Sequence, residues 1–128
     1  MICEEALLER SILIVEDDFL QAFDVKSALV KRGAKVIGPI GSLDEGLDRA
    51  RGAPLIDAAV VDLNLGGEMA FPLVDELVRL DVPVILITGY DRRVIPYRLQ
   101  HLQCIEKPAC PTLLAEVTGE LFAERVAG

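Results

Sequence analysis

Ala58-Ala59-Val60-Val61-Asp62-Leu63-Asn64-Leu65-Gly66-Gly67 is the stretch that decides the fold. Ala58 to Val61 is a short apolar run, half of it β-branched, and it reads as a strand buried on both faces. The strand runs into a lone carboxylate, Asp62, and then into a loop marked by Gly66 and Gly67. In an open parallel sheet, ligands bind beyond the carboxyl ends of the strands. Asp62 therefore stands where a reacting group would be placed. Taken alone, an Asp there is more often a turn or capping residue, so the ends of the other strands must decide.

Outward from that stretch, strand and helix alternate. Met1 to Arg10 is a short lead-in with room for one helical turn. Ile12 to Val15 reads as a buried strand, followed at once by Glu16-Asp17-Asp18. A helix is expected from Phe19 to Arg32, with Asp18 as N-cap, Gln21 at the reciprocal capping position and Gly33 beyond its end. Lys35 to Gly38 reads as a second strand, closed by Pro39. Ser42-Leu43-Asp44-Glu45 is a capping box opening a helix to Arg51. A third helix runs from Phe71 to Leu80, with Pro72 in its first turn. Val82 to Ile87 forms a fourth strand with Pro83 near its start, and Gln103 to Glu106 a fifth, before Lys107-Pro108. A last helix is expected from Pro111 to Val126. Five strands alternating with helices imply an α/β fold, a parallel sheet covered on both faces. Glu16, Asp17, Asp62, Thr88 and Lys107 then converge on one edge, while the second strand ends outside it.

Composition bounds the function. A chain of 128 residues and 13.9 kDa is expected to form one domain over residues 1–128. No apolar run approaches the roughly 20 residues of a membrane span, and the first ten residues are too acidic for a signal peptide. The net charge of −8 disfavours nucleic acid and anionic membrane as partners. Cys3, Cys104 and Cys110 have no metal-site spacing and read as reduced packing residues of a cytoplasmic protein. His101, the single histidine, lies in a polar stretch and reads as surface.

The motifs I-L-I-V-E-D-D, A-V-V-D-L-N-L-G-G, I-L-I-T-G-Y and I-E-K-P follow one another at intervals that resemble the receiver domain of two-component response regulators, over nearly the whole chain. The resemblance implies a flavodoxin-like, doubly wound sheet in the order 2-1-3-4-5. It also implies Mg²⁺ and transfer of a phosphoryl group to Asp62 from a histidine kinase or phosphotransfer protein, with output to a downstream protein target. On this reading the chain is not a turnover enzyme but a phosphoacceptor that assists its own phosphorylation and dephosphorylation.

Each implied role suits its residue. Asp62 is a carboxylate nucleophile. Asp17 and Asp62 would be direct metal ligands, Glu16 a ligand through water and Asn64 a ligand through its backbone carbonyl. Thr88 and Lys107 would bind the phosphoryl oxygens, since such transfer is largely positioning and charge neutralisation. Gly89 leaves its N–H free for the same group, and Asp18 is left as helix cap. Receivers commonly hold the bond equivalent to Lys107–Pro108 cis.

Two features depart from the family. Cys104 occupies the place of a switch aromatic, and cysteine has no ring to move. Gly89 to Leu102 carries Pro96 at its middle, so a full fourth helix is not expected. That resembles stand-alone receivers with a reduced fourth helix, the FATGUY type. The segment is expected to be sparsely anchored and to act as the switch, with Tyr90 as reporter. Competing readings are a non-phosphorylated pseudo-receiver, a haloacid-dehalogenase-type phosphatase and a flavodoxin-like cofactor binder. The phosphatase would want a second Asp where Asn64 stands, and the acids after the first strand would repel a cofactor phosphate.

Overall fold

The computed structural model describes residues 4–52, 55–89 and 92–127. One parallel sheet contains β1 (Ser11–Val15), β2 (Lys35–Ile40), β3 (Ala58–Asp62), β4 (Val84–Thr88) and β5 (Gln103–Glu106). Its spatial order is β2-β1-β3-β4-β5, the doubly wound order that the resemblance implied. The helices are α1 (Phe19–Lys31), α2 (Leu43–Arg51), α3 (Phe71–Arg79) and α4 (Pro111–Ala127).

Alternation along the buried strands divides the core in two. Leu13, Val15, Ala59, Val61, Val84 and Leu86 pack with Leu43, Leu73 and Leu77 of α2 and α3. Ile12, Ile14, Ala58, Val60, Ile85 and Ile87 pack with Val25, Leu29, Leu114 and Phe122 of α1 and α4. Every residue of β3 and β4 is buried, as a central parallel strand requires. The lead-in forms a 3-10 turn, Glu4–Leu7, that seats Ala6 and Leu7 in the α1–α4 layer.

The helix ends follow their caps. Asp18 accepts from the Leu20 and Gln21 amides at 3.0 and 3.1 Å, and Ser42 Oγ accepts from Glu45 N at 3.3 Å. Gln21 does not complete a box at α1, because the Asp18 amide donates instead to Glu16 Oε2 at 3.1 Å. Gly33 follows α1 at φ 88°, where a left-handed residue ends a helix.

Several boundaries differ from expectation. β2 continues through Pro39 to Ile40, because an edge strand tolerates a missing donor and a register shift opposite Leu13 to Val15 absorbs the extra residue. β4 starts at Val84, since Pro83 lacks an N–H for the ladder and contributes only its carbonyl, to Ala59 N at 2.9 Å. An unexpected two-stranded hairpin, Asn64–Leu65 with Glu68–Met69, follows β3 directly. Cys104 is half-buried against the core, but Cys110 is exposed and does not pack as expected; Cys3 lies outside the described residues.

No fourth crossover helix forms among the described residues between β4 and β5; two 3-10 turns, Arg92–Val94 and Tyr97–Leu99, take its place. Contrary to the expectation of sparse anchoring, this segment is well tied. Ile95 and Leu99 are 3% and 2% exposed, while Tyr97 is 94% exposed. Arg92 Nη2 donates to Gln100 O at 2.6 Å, and Gln100 Nε2 returns to Arg92 O at 2.9 Å. Arg98 forks onto Asp75 of α3 at 2.9 and 2.8 Å, which holds the Asp75 carboxyl below its usual pKa. Tyr90, the expected reporter, lies outside the described residues. Apolar burial should outweigh the exposed fork in holding the segment. Leu99→Ala is expected to lower urea stability by about 2–4 kcal/mol and Arg98→Ala by less than about 1 kcal/mol. The reverse ranking would place the anchor in the fork.

Candidate functional site

Strand register brings the acids together. Val15 of β1 is paired with Val61 of β3, so Glu16 and Asp62 leave the sheet side by side. Leu63 N donates to Ile87 O at 3.0 Å, and Thr88 is paired with Glu106, which sets Thr88 and Lys107 at the same edge. Lys107 sits two strand spacings from β3, roughly 10 Å. A long side chain is needed to span it, and Lys107 Nζ reaches Asp62 Oδ2 at 2.5 Å and stands 3.9 Å from Glu16 Oε1. The Lys107–Pro108 bond is cis.

Asp62 is 1% exposed and held at both oxygens: Oδ1 accepts from Asn64 N at 2.9 Å, and Oδ2 takes the ammonium. Glu16 is 5% exposed beside it. Burial, reinforced by the hydrogen bond to Asp62 and by its charge, pushes the Glu16 carboxyl up to about 8; the Asp18 amide and Lys107 oppose the shift. Partial burial works against the Lys107 charge, but the Asp62 hydrogen bond and the charges of Asp62, Glu16 and Asp17 prevail and raise its pKa.

Asp17 is exposed, and its Oδ2 accepts from Gly66 N at 2.8 Å. Glu16, Asp17 and Asp62 each present a carboxylate oxygen within 4.8 Å of the others. An all-oxygen set of this kind suits a hard divalent cation such as Mg²⁺ or Ca²⁺. An open cleft above it is lined by Asp17, Asp18, Asn64, Gly66, Gly67 and Lys107. Thr88 is buried at the end of β4, and its carbonyl accepts from Lys107 N at 2.9 Å. Gly89 is exposed, and a Cβ there would meet nothing within 4 Å. Asn64 is turned into the hairpin, where its Oδ1 accepts from Gly67 N at 2.8 Å. It supplies no acid of the kind a phosphatase of the rival family would need.

Sequence reasoning thus named the residues that meet at this edge, including the cap role of Asp18. It missed the hairpin and the Gly66–Asp17 bond. The signal was present: two glycines between Leu65 and Glu68 are a two-residue hairpin turn. It also set β2 wholly outside the site, whereas the carbonyl of Ile40 accepts from Glu16 N at 2.9 Å and supports the acid from the edge strand. His101 is exposed, as expected.

No family model and no curated protein matches the chain. Solved structures do. A receiver domain protein (CheY-like) from Methanospirillum hungatei JF-1 superposes with a TM-score of 0.79 at 24% identity, over 93% of this chain and 98% of that one. The fold is that of a response regulator receiver domain. Two further solved structures share more sequence. A response regulator from Burkholderia pseudomallei, solved with a phosphorylated aspartic acid, a calcium ion and citrate, is 26% identical, with a TM-score of 0.71 over 93% of this chain and 74% of that one. SdrG from Sphingomonas melonis Fr1 is 28% identical, with a TM-score of 0.67 over 91% of this chain and 98% of that one. The acid cluster of this chain fits a receiver metal site, and no helix among the described residues is long and apolar enough to cross a membrane.

The raised pKa of Glu16 fixes the sign of one pH effect. Between about 4.5 and about 8 the folded chain keeps a proton that the unfolded chain has released, so Glu16 makes stability fall as pH rises through that window. Thermal unfolding in chelator should therefore show a shallower loss from about pH 5 to about pH 8 in Glu16→Gln than in the native protein. Identical slopes would remove Glu16 as the source.

Proposed function

We propose that this chain is a phosphoacceptor of two-component signalling. Asp62 takes a phosphoryl group from a histidine kinase or phosphotransfer protein, and the signal leaves through protein contacts. The observation that carries the reading is Asp62 itself. It is a buried carboxylate at a strand's carboxyl end, with a backbone amide on one oxygen and Lys107 on the other, beside two more acids. A structural turn Asp needs none of that company. Residues 1–128 would constitute one receiver domain, acting in the cytoplasm.

The geometry suggests how the residues divide the work. A carboxylate oxygen of Asp62 attacks phosphorus as the P–N bond to the donor imidazole breaks, and the nitrogen keeps the bonding pair. The Asn64 amide fixes the plane of the Asp62 carboxylate while Lys107 transfers its ammonium from Oδ2 to the incoming phosphoryl oxygens. Thr88 at the end of β4 and the N–H of Gly89 just beyond it would donate to the group, and the open space at Gly89 admits it. Asp17, Asp62 and the Asn64 carbonyl would hold Mg²⁺ directly, with Glu16 behind a water. Bound there, Mg²⁺ neutralises charge shared between the carboxylates and the phosphoryl oxygens. Asn64 stands where a haloacid-dehalogenase-type phosphatase would have its general-acid Asp, so the chain would assist its own phosphorylation and dephosphorylation without being a general phosphatase.

The donor would dock beside the cleft, on α1. Phe19, Leu20 and Phe23 are 77%, 74% and 59% exposed on the first turns of α1, next to Asp17 and Asp18. They form one patch, since residues three and four apart share a helix face. Apolar rings bordering an otherwise polar cleft mark a protein contact. On the output side, Thr88 heads the segment tied by Ile95 and Leu99, so a pull on Thr88 is transmitted to that surface.

A small phosphodonor with Mg²⁺ should add one hydroxylamine-sensitive phosphoryl group, located on Asp62 by mass spectrometry and lost in Asp62→Asn. Labelling of another residue, or undiminished labelling of the variant, would reject the assignment. Phe23→Glu should leave labelling by the small donor intact while slowing transfer from a cognate phosphohistidine protein by about tenfold, the loss of one modest interface contact of roughly 1.4 kcal/mol. Equal effects on both donors would move the docking face elsewhere.

A further inference from the structure

The link leaving β3 is built rather than slack. Asn64–Leu65 and Glu68–Met69 pair antiparallel around Gly66 and Gly67, whose φ values of 62° and 95° are those of a type I′ turn. Leu65, 4% exposed, plants the hairpin in the core. Ala70 N closes its base on Leu63 O at 2.8 Å, and Asn64 Oδ1 ties down the Gly67 amide at 2.8 Å. One donor at the tip points away from the hairpin. Gly66 N reaches Asp17 Oδ2 at 2.8 Å, across 49 residues of sequence.

Asp17 is the member of the acid cluster most in need of such a hold. Asp62 is gripped at both oxygens and Glu16 is buried, whereas Asp17 is exposed. An exposed carboxylate samples several rotamers, and only some direct an oxygen toward its neighbours. Metal-ligating carboxylates are themselves hydrogen-bonded in well-formed sites, and loss of such a partner weakens metal binding. We propose that Gly66 is a positioning residue for the cation: its N–H occupies Asp17 Oδ2 and holds the carboxylate so that the remaining oxygen joins those of Glu16 and Asp62. The proposal rests on the reading of Asp17 as a metal ligand.

The need for glycine is conformational rather than steric. A Cβ on residue 66 would stand 4.0 Å from Asp17 Oδ2, an ordinary contact, but at φ 62° most side chains are disfavoured and Asn is tolerated. That separates two variants. Gly66→Asn keeps the turn and its amide in place, whereas Gly66→Val, β-branched, drives the tip out of the left-handed region.

Mg²⁺ titrated calorimetrically into the full chain should bind native protein and Gly66→Asn within about twofold of each other, and Gly66→Val about tenfold more weakly. Amide spectra recorded alongside should show residues 66 and 17 shifting with one apparent Kd in the first two proteins. If Gly66→Val does not fold, Gly66→Ala takes its place, with weakening of several-fold expected. Equal Mg²⁺ affinity in all folded variants would overturn the positioning role and leave the metal site standing. No binding by the native chain would overturn the metal reading itself, and this proposal with it.

Discussion

Three carboxylates crowded at one sheet edge, two of them withdrawn from water, are the constraint on which the rest of this structure depends. A buried charge without a partner costs several kcal/mol. Each neighbouring feature is an answer to that cost. Lys107 supplies a positive charge from two strands away, the Asn64 and Gly66 amides supply dipoles, and Glu16 keeps a proton well above the usual carboxyl range. The site is held in tension by its own composition, and a divalent cation would relieve it.

The scaffold meets this constraint by being rigid where the acids emerge. β3 and β4 are buried throughout, so their register cannot slip without turning apolar residues toward the wrong layer. The periphery is tied as well, more firmly than the missing helix implied. The stretch after β4 replaces helical hydrogen bonds with the Arg92–Gln100 exchange, the Arg98–Asp75 fork and two buried apolar side chains. A short connection of this kind has defined contacts that a signal could rearrange.

Most of the fold was legible because buried parallel strands write themselves as apolar runs, and Ala58 to Val61 or Ile12 to Val15 admit few other readings. The site residues were legible for the same reason: a charge directly after such a run must lie at the sheet edge. What could not be read depends on contacts far apart in sequence. Pro39 within β2 is tolerated only because that strand lies at the edge, a fact of topology. The anchoring of Ile95 and Leu99 was hidden because Pro96 between them argues against a helix, and the two 3-10 turns that form instead leave no simple sequence period. The hairpin was missed by treating Gly66-Gly67 as punctuation rather than as a turn with its own geometry. Cys110 shows the limit of residue preference, since cysteine is usually buried and this one is not.

The separations within the site carry one more consequence. Lys107 and Asp62 lie 45 residues apart, and Gly66 and Asp17 lie 49 apart. Gly66 and Asp17 do not meet until β1 lies beside β3, and Lys107 and Asp62 do not meet until β4 and β5 have joined them. In an extended or half-assembled chain Asp62 is an ordinary solvated carboxylate, with neither the ammonium to orient it nor the acids to strain it. The environment of this residue is therefore a property of the completed tertiary structure and of nothing smaller. A newly made chain assembles this edge only with its last long-range contacts, so on the proposed function an incomplete molecule would be silent rather than send a false signal.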